Sequence, residues 1–153
     1  MKLELTVQDP FSIGKEAAYY DLRWRVLRKP WSQPRGTERD ELEGDSIHRL
    51  VLDDSGNPVA CARLHLNSPE EAQLRYMAVE PDSRRFGVGR MLMQAMEEIA
   101  LSAGADRMVL QAREDTVPFY ESCGYSVVME TFLLYGVIRH FLMEKRLHES
   151  HPM

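Results

Sequence analysis

The sequence predicts an α+β fold, an α/β/α sandwich in which a mixed, mostly antiparallel sheet of about seven strands is flanked by helices. Three observations carry this expectation. Apolar runs joined by turn residues occur twice, at Ile47–Leu66 and at Val127–Glu144. Between them, Gly87–Ala103 repeats its apolar residues at helical steps instead. Shorter apolar segments on either side of that helix supply the remaining strands.

Taken in order, Leu3, Leu5 and Val7 alternate with Glu4 and Thr6, which is strand period, and Asp9-Pro10 ends the run. Ser12 is placed to cap a helix through Ala17, Tyr20, Leu22, Trp24 and Leu27, stopping before Pro30. The arginines behind its apolar residues point to a solvated or ligand-facing side. Pro30–Asp45 lacks hydrophobic periodicity and reads as a long loop or a broken short helix. Ile47–Leu52 and Val59–Leu66 form a hairpin across Asp53–Asn57. A third antiparallel strand, Ala72–Val79, ends at Glu80-Pro81-Asp82. In the following helix Val88, Leu92, Ala95, Met96, Ile99 and Ala103 form one stripe, and Gly104 stops it. Met108–Ala112 is a strand, Thr116–Ser122 a short helix capped by Thr116 and ended by Gly124, and Val127–Leu134 and Val137–Glu144 a last hairpin across Tyr135-Gly136.

The chain has 153 residues, 44% hydrophobic and 28% charged, an ordinary globular composition. The expectation is a single domain over 1–147 with a flexible tail over 148–153. The net charge of −5 argues against general nucleic-acid binding, which needs a basic surface. No apolar stretch approaches the roughly 20 residues that span a bilayer, and Met1–Pro10 is no signal sequence, so neither export nor a membrane is expected. Two cysteines, Cys61 and Cys123, without CxxC or histidines at ligand spacing, fit reduced thiols in a cytoplasm and give a metal site no support.

The chemistry-bearing segment is Val79–Arg90, where Gly87 and Gly89 lie between a strand end and a helix start. Glycine allows close backbone approach, the first helical amides lack intrahelical acceptors, and the helix dipole adds positive potential, so a phosphate finds several donors there. Arg84, Arg85 and Arg90 add charge. Such glycines can also merely relieve sterics at a corner. No Gly-Lys-Ser/Thr follows, which excludes Walker A chemistry, and the preceding run of hairpins is not the βαβ context of a dinucleotide fingerprint. A phosphate-bearing cofactor without a metal remains.

Val79, Pro81, Arg84, Gly87, Gly89 and Leu92 match Val-x-Pro-x-x-Arg-x-x-Gly-x-Gly-x-x-Leu, and the chain here resembles the GNAT superfamily of acetyl-CoA-dependent N-acetyltransferases. The segment Thr116–Tyr125 is similar to the second motif of that family, an aromatic-tyrosine pair followed by glycine and an aromatic residue. Arg113 and Thr116 stand where that motif commonly has Asn and Ala. The resemblance implies a sheet splayed between its fourth and fifth strands. It implies a pyrophosphate on the amides of Arg85, Phe86, Gly87, Val88, Gly89 and Arg90, with Arg84 nearby. The pantetheine arm is implied beside Met77, Ala78 and Val79, with the Met77 or Ala78 amide as oxyanion donor. Tyr120 takes the family position of general acid, the alternative being a ring that only packs; Phe119 beside it borders the cofactor and packs.

The implied activity is transfer of an acetyl group from acetyl-CoA, without a metal, to a primary amine of a small molecule or peptide. The other readings are a catalytically silent acyl-CoA-binding module and a general nucleotide-binding domain. The base is open among His48, His65, His140 and a water relay. The run Glu38, Asp40, Glu41, Glu43, Asp45 either attracts a cationic amine or is a solvated face. Trp24 and Trp31 bound an acceptor pocket or anchor the loop, and Met91, Met93 and Met96 are expected to pack. Family analogy adds a homodimer through the last two strands.

Overall fold

The computed structural model describes residues 4–148, with only the backbone at Arg85. Leu3 of the expected first strand and residues 149–153 of the expected tail lie outside the described residues. Among the described residues seven strands form one sheet in the order β1-β2-β3-β4-β5-β7-β6. They are β1 (Thr6–Gln8), β2 (Ile47–Leu52), β3 (Pro58–Leu66), β4 (Glu71–Val79), β5 (Arg107–Arg113), β6 (Ser126–Leu134) and β7 (Ile138–Arg146). Three helices accompany them: α1 (Glu16–Leu27), α2 (Val88–Ser102) and α3 (Val117–Ser122). The β1–β2, β2–β3, β5–β7 and β6–β7 pairings are antiparallel. β4 and β5 pair in parallel from Glu71 with Arg107 to Leu74 with Leu110, a register that ends although both strands continue.

The described chain divides into two compact units. One runs up to His65 and resumes over Tyr76–Met96; the other comprises Leu66–Arg75 and the chain from Glu97 onward. In the first, Tyr19, Tyr20, Leu22, Leu50, Leu52, Cys61 and Ala78 form a buried cluster against which Val26 and Leu27 pack. Val88, Leu92 and Met96 are buried along one stripe of α2, as the four-residue spacing predicts. In the second unit Met108, Leu110 and Ala112 of β5 are buried, as are Ile138 and Met143 of β7. Tyr135 and Gly136 both have positive φ, 52° and 72°, with Val137 N–H donating to Leu134 C=O at 3.1 Å. That is the left-handed pair that a tight two-residue hairpin needs.

Two expected caps fail. Helix α1 starts at Glu16, and Ser12 donates to the Asp9 carbonyl while the Asp9 carboxylate accepts from Phe11 N–H. The Asp9 side chain thus takes the chain into a turn before the helix can begin. Thr116 precedes α3 but makes no cap, its hydroxyl donating back to the Arg113 carbonyl at 2.8 Å. Gly104 and Gly124 do stop their helices. In each case the glycine N–H bonds three residues back and the next N–H five residues back, which saturates the last carbonyls.

The larger correction concerns the arginine side of α1 and the acidic run. Arg23 has no exposed surface, and neither has Arg63 in the middle of β3. Glu43 bridges them: one carboxylate oxygen accepts from Arg23 Nη1 and Tyr20 Oη, each at 2.9 Å, and the other accepts from Arg63 Nη1. Asp40 also accepts from Arg63 Nη1, and Glu38, itself buried, gives its carbonyl to Arg23 at 2.8 Å. Asp40 and Glu43 are therefore half-buried ion-pair partners of buried arginines, Glu38 is buried with its carboxylate on the Gly36 N–H and the exposed Arg39, and only Glu41 and Asp45 keep the solvated character expected of the run. Burial alone raises a carboxyl, yet at Glu43 the Arg23 charge and the bonds from Tyr20 and Arg63 outweigh it and hold it below its ordinary value.

His48 belongs to the same network. Its Nε2 donates to the Glu43 carbonyl at 2.8 Å, and its Nδ1 accepts from Tyr19 Oη at 2.7 Å, the phenol in turn accepting from Arg23 Nη2. Burial pushes the imidazole below its ordinary 6.5. A base depressed in the folded state lets the unfolded chain take up the proton first, so its stability contribution is lost as pH falls through 6.5. Glu43, also depressed, loses its share below its ordinary 4.5. Urea midpoints measured from pH 7 downward are expected to fall in two stages. His48→Gln should flatten the first stage and leave the second.

Candidate active site

The loop between β4 and α2 is a short 3-10 helix, Pro81–Phe86, closed by Gly87 in the left-handed region at φ 72°. Pro81 fixes its first φ, and Gly87 reverses the chain so that α2 starts on the next residue. The Met91 N–H donates to the Gly87 carbonyl at 3.1 Å as the first turn of α2 closes. The amides of Val88, Gly89 and Arg90 precede that bond, at the positive end of a fifteen-residue helix. A side chain at Gly87 would meet nothing within 4 Å, so the approach to this corner is open.

The expected cofactor residues divide between backbone and side chain. Val88 and Ala78 are buried, which leaves their peptide groups as what they can offer a ligand. Gly89 is buried, Met77 and Val79 are half-buried, and Phe86, Gly87, Arg84 and Arg90 are exposed. Arg84 Nε donates to the Val79 carbonyl at 3.2 Å, tying the loop to the end of β4. The side chain of Arg85 lies outside the described residues.

Tyr120 and Phe119 sit on α3, in the other unit. Their rings meet edge-on at 5.1 Å, and Tyr120 meets Tyr125 edge-on at 6.1 Å. The Tyr120 carbonyl accepts from Cys123 and Tyr125 N–H, each at 3.0 Å. Lys145 Nζ donates to the Cys123 carbonyl at 2.8 Å and to Glu97 at 2.9 Å, and Tyr125 Oη donates to Glu97 at 2.8 Å. The C-terminus of α3 is thereby pinned by a cation where the helix dipole favours one. Burial pushes the Tyr120 phenol well above its ordinary value, the Arg113 charge opposing it. The phenol keeps its proton at neutral pH.

The histidines have separate surroundings. Both ring nitrogens of His48 are engaged inside the cluster, which leaves it no part as a base. His65 Nδ1 accepts from Arg63 Nη2 at 3.3 Å. His140 is buried, stacks on Phe132 at 4.3 Å and donates from Nδ1 to the Ile138 carbonyl at 3.0 Å. Trp24 anchors the loop, its indole donating to the Gln33 carbonyl at 3.0 Å under the Arg35 guanidinium; Trp31 lies exposed. Met93 and Met96 pack in the interior. Among the described residues no group of three or more His, Cys, Asp or Glu is placed to hold a metal. No described helix is long and apolar enough to cross a membrane.

A glycine-closed corner after β4, a long amphipathic helix and a Phe-Tyr pair on a short helix after β5 make a testable signature. The family model described as "Acetyltransferase (GNAT) family" matches residues 17–125. The chain belongs to the GNAT acetyltransferase family. It is an acyltransferase by that membership. It is 35% identical over 131 residues to the Bacillus subtilis (strain 168) protein named "Uncharacterized N-acetyltransferase YjcF", covering 86% of this chain and 91% of that one. Among solved structures, an aminoglycoside 6'-N-acetyltransferase complexed with coenzyme A superposes with a TM-score of 0.78 at 15% identity, over 97% of this chain and 99% of that one. Escherichia coli ElaA gives 0.75 at 24%, over 94% and 99%. These likenesses establish the GNAT fold.

Sequence reasoning missed Tyr76, which lies within β4 yet has φ 53°, a left-handed value that only glycine adopts without cost. No glycine or proline marks the place. The lone charge of Arg63 inside the apolar run Val59–Leu66 was the available signal for the buried network.

Gly87→Val is expected to lower stability by about 1–2 kcal/mol in urea unfolding. The cause is backbone strain alone, since the added Cβ has open space. An unchanged midpoint would show that the left-handed turn is not maintained in solution.

Proposed function

We propose that this chain transfers an acetyl group from acetyl-CoA to the primary amine of a small molecule or peptide, by direct attack and without a covalent enzyme intermediate. The observation that carries the reading is the corner at Gly87. There the chain turns left-handed, is open above the turn, and leads straight into the first amides of α2. A diphosphate on the amides of Arg85–Arg90 gains several N–H donors and the helix dipole together, with the exposed Arg90 adding charge. The residues present fit this group, because Phe86 and Gly87 are exposed and a Cβ at Gly87 would meet nothing within 4 Å.

In this reading Met77, Ala78 and Val79 give the pantetheine arm its strand-like partner, and an amide of this segment receives the charge that develops on the thioester oxygen as the amine adds. Tyr120 donates its phenolic hydrogen to the departing thiolate. Its raised proton affinity makes it a stabilising hydrogen-bond donor more than a group that surrenders its proton outright. Phe119 supports the Tyr120 ring edge-on. A solution in a reducing compartment suits the two free cysteines, Cys61 and Cys123.

The test has two parts. Calorimetry should show acetyl-CoA binding that ATP does not match at equal concentration. A screen of amines with thiol detection should show CoA release that depends on the amine. Tyr120→Phe should lower kcat by about 10²-fold or more while leaving acetyl-CoA affinity nearly unchanged. Binding without amine-dependent thiol release would identify a silent acyl-CoA-binding module instead.

A further inference from the structure

Lys145 stands on the inward face of β7, flanked at two-residue steps by the buried Met143 and Leu147. An apolar side chain there would be buried with no charge to compensate, so the lysine is a cost unless its head group is used. Its Nζ donates to the Glu97 carboxylate at 2.9 Å and to the Cys123 carbonyl at 2.8 Å, and it lies 5.7 Å from the centroid of the Tyr125 ring. The second Glu97 oxygen accepts from Tyr125 Oη at 2.8 Å. The side chains of Lys145 and Glu97 are 29% and 13% exposed, so water screens the pair only in part. Gly124 makes room for the lysine, since a Cβ there would come within 3.1 Å of Lys145 Cε.

The helix that this pair meets is too short to hold itself. α3 has six residues, none of them fully buried, and Thr116 gives its first turn no cap. An isolated helix is marginal even at about 12–15 residues. Tyr120 is tied to the residues that follow it: its carbonyl accepts from the N–H groups of Cys123 and Tyr125, and its ring meets the Tyr125 ring edge-on. Cys123 and Tyr125 are the two residues that Lys145 and Glu97 bind. From this arrangement we infer that Lys145 is a positioning residue: by drawing the Cys123 carbonyl and the Glu97–Tyr125 bond to one ammonium group, it sets the place and angle of Tyr120 on α3 and with them the rate of the acetyl transfer. The inference rests on the proposed role of Tyr120 for its catalytic half only. A reacting group misplaced by about 1 Å can cost about 10²-fold in rate. Binding of acetyl-CoA at the peptide amides of the Gly87 corner draws on none of these bonds.

Lys145→Met removes the ammonium group and keeps an unbranched stem. The expected result is a kcat lower by about tenfold, with the KM for acetyl-CoA changed by no more than about twofold. A double-mutant cycle with Tyr120→Phe separates positioning from general loosening: with the phenol already gone, Lys145→Met should change kcat by less than about twofold. Amide exchange gives a readout independent of turnover, since the Cys123 and Tyr125 amides should exchange at least about tenfold faster in Lys145→Met. If Lys145→Met does not fold, Lys145→Met/Glu97→Gln, which removes both charges of the pair, takes its place in the same cycle. Wild-type kcat in Lys145→Met, equal fractional losses in the two backgrounds, or unchanged exchange of both amides would overturn the positioning role. If the wild type itself releases no thiol, the acetyltransfer reading fails, and exchange at Cys123 and Tyr125 alone still decides whether Lys145 holds α3.

Discussion

Two guanidiniums removed from water, Arg23 on α1 and Arg63 on β3, impose the constraint on which much else depends. An unpaired buried charge costs several kcal/mol, and the cost is met only when its partners are held in place. Those partners, Glu43 and Asp40, come from a stretch with no hydrophobic periodicity and little regular structure. Ion pairing therefore does for the 38–45 loop what apolar burial does elsewhere. It gives a polar segment one conformation, with Glu43 reaching Tyr20, Arg23 and Arg63 at once.

The proposed chemistry is divided between peptide groups and side chains. The Gly87 corner offers amides, and amides are present whatever the sequence, provided that the backbone can take the turn. In the proposed reaction Tyr120 is different, since only its side chain would donate to the leaving group. Accordingly α3 is fixed at its C-terminus by Gly124, by the carbonyl bonds to Tyr120 and by the Lys145–Glu97–Tyr125 network.

How much of this was legible follows from the range of each interaction. Both hairpins and α2 were legible because period 2, period 3.6 and the residues at their ends act within a few positions. Gly104 and Gly124 were readable as stops for the same reason, and the Gly87–Gly89 corner stood out by its spacing. The start of α1 was misplaced because Asp9 competes locally with Ser12 for the same backbone groups. The acidic run was misread because its partners lie up to twenty-three positions away, and nothing in a run of carboxylates tells which of them meets a buried cation. Tyr76 was invisible for a further reason. Its left-handed backbone is produced by the tertiary setting, against local preference, and a tyrosine in an apolar strand gives no sign of it.

The local costs in the structure are not scattered. Apolar residues replacing a buried ion pair commonly give an equal or more stable fold, and glycine at residue 76 would relieve the backbone. Yet Arg23, Arg63 and a left-handed tyrosine all occur within contact of the same few residues of β4. Elsewhere in the chain the departures from preferred geometry are ordinary: positive φ falls on glycines, on Tyr135 in a hairpin turn and on Ser32 at the end of a 3-10 turn. Removing one member alone leaves the others worse off, because a buried charge without its partner costs several kcal/mol. The three are therefore coupled, and the same few residues of β4 carry both the buried charges and the left-handed turn.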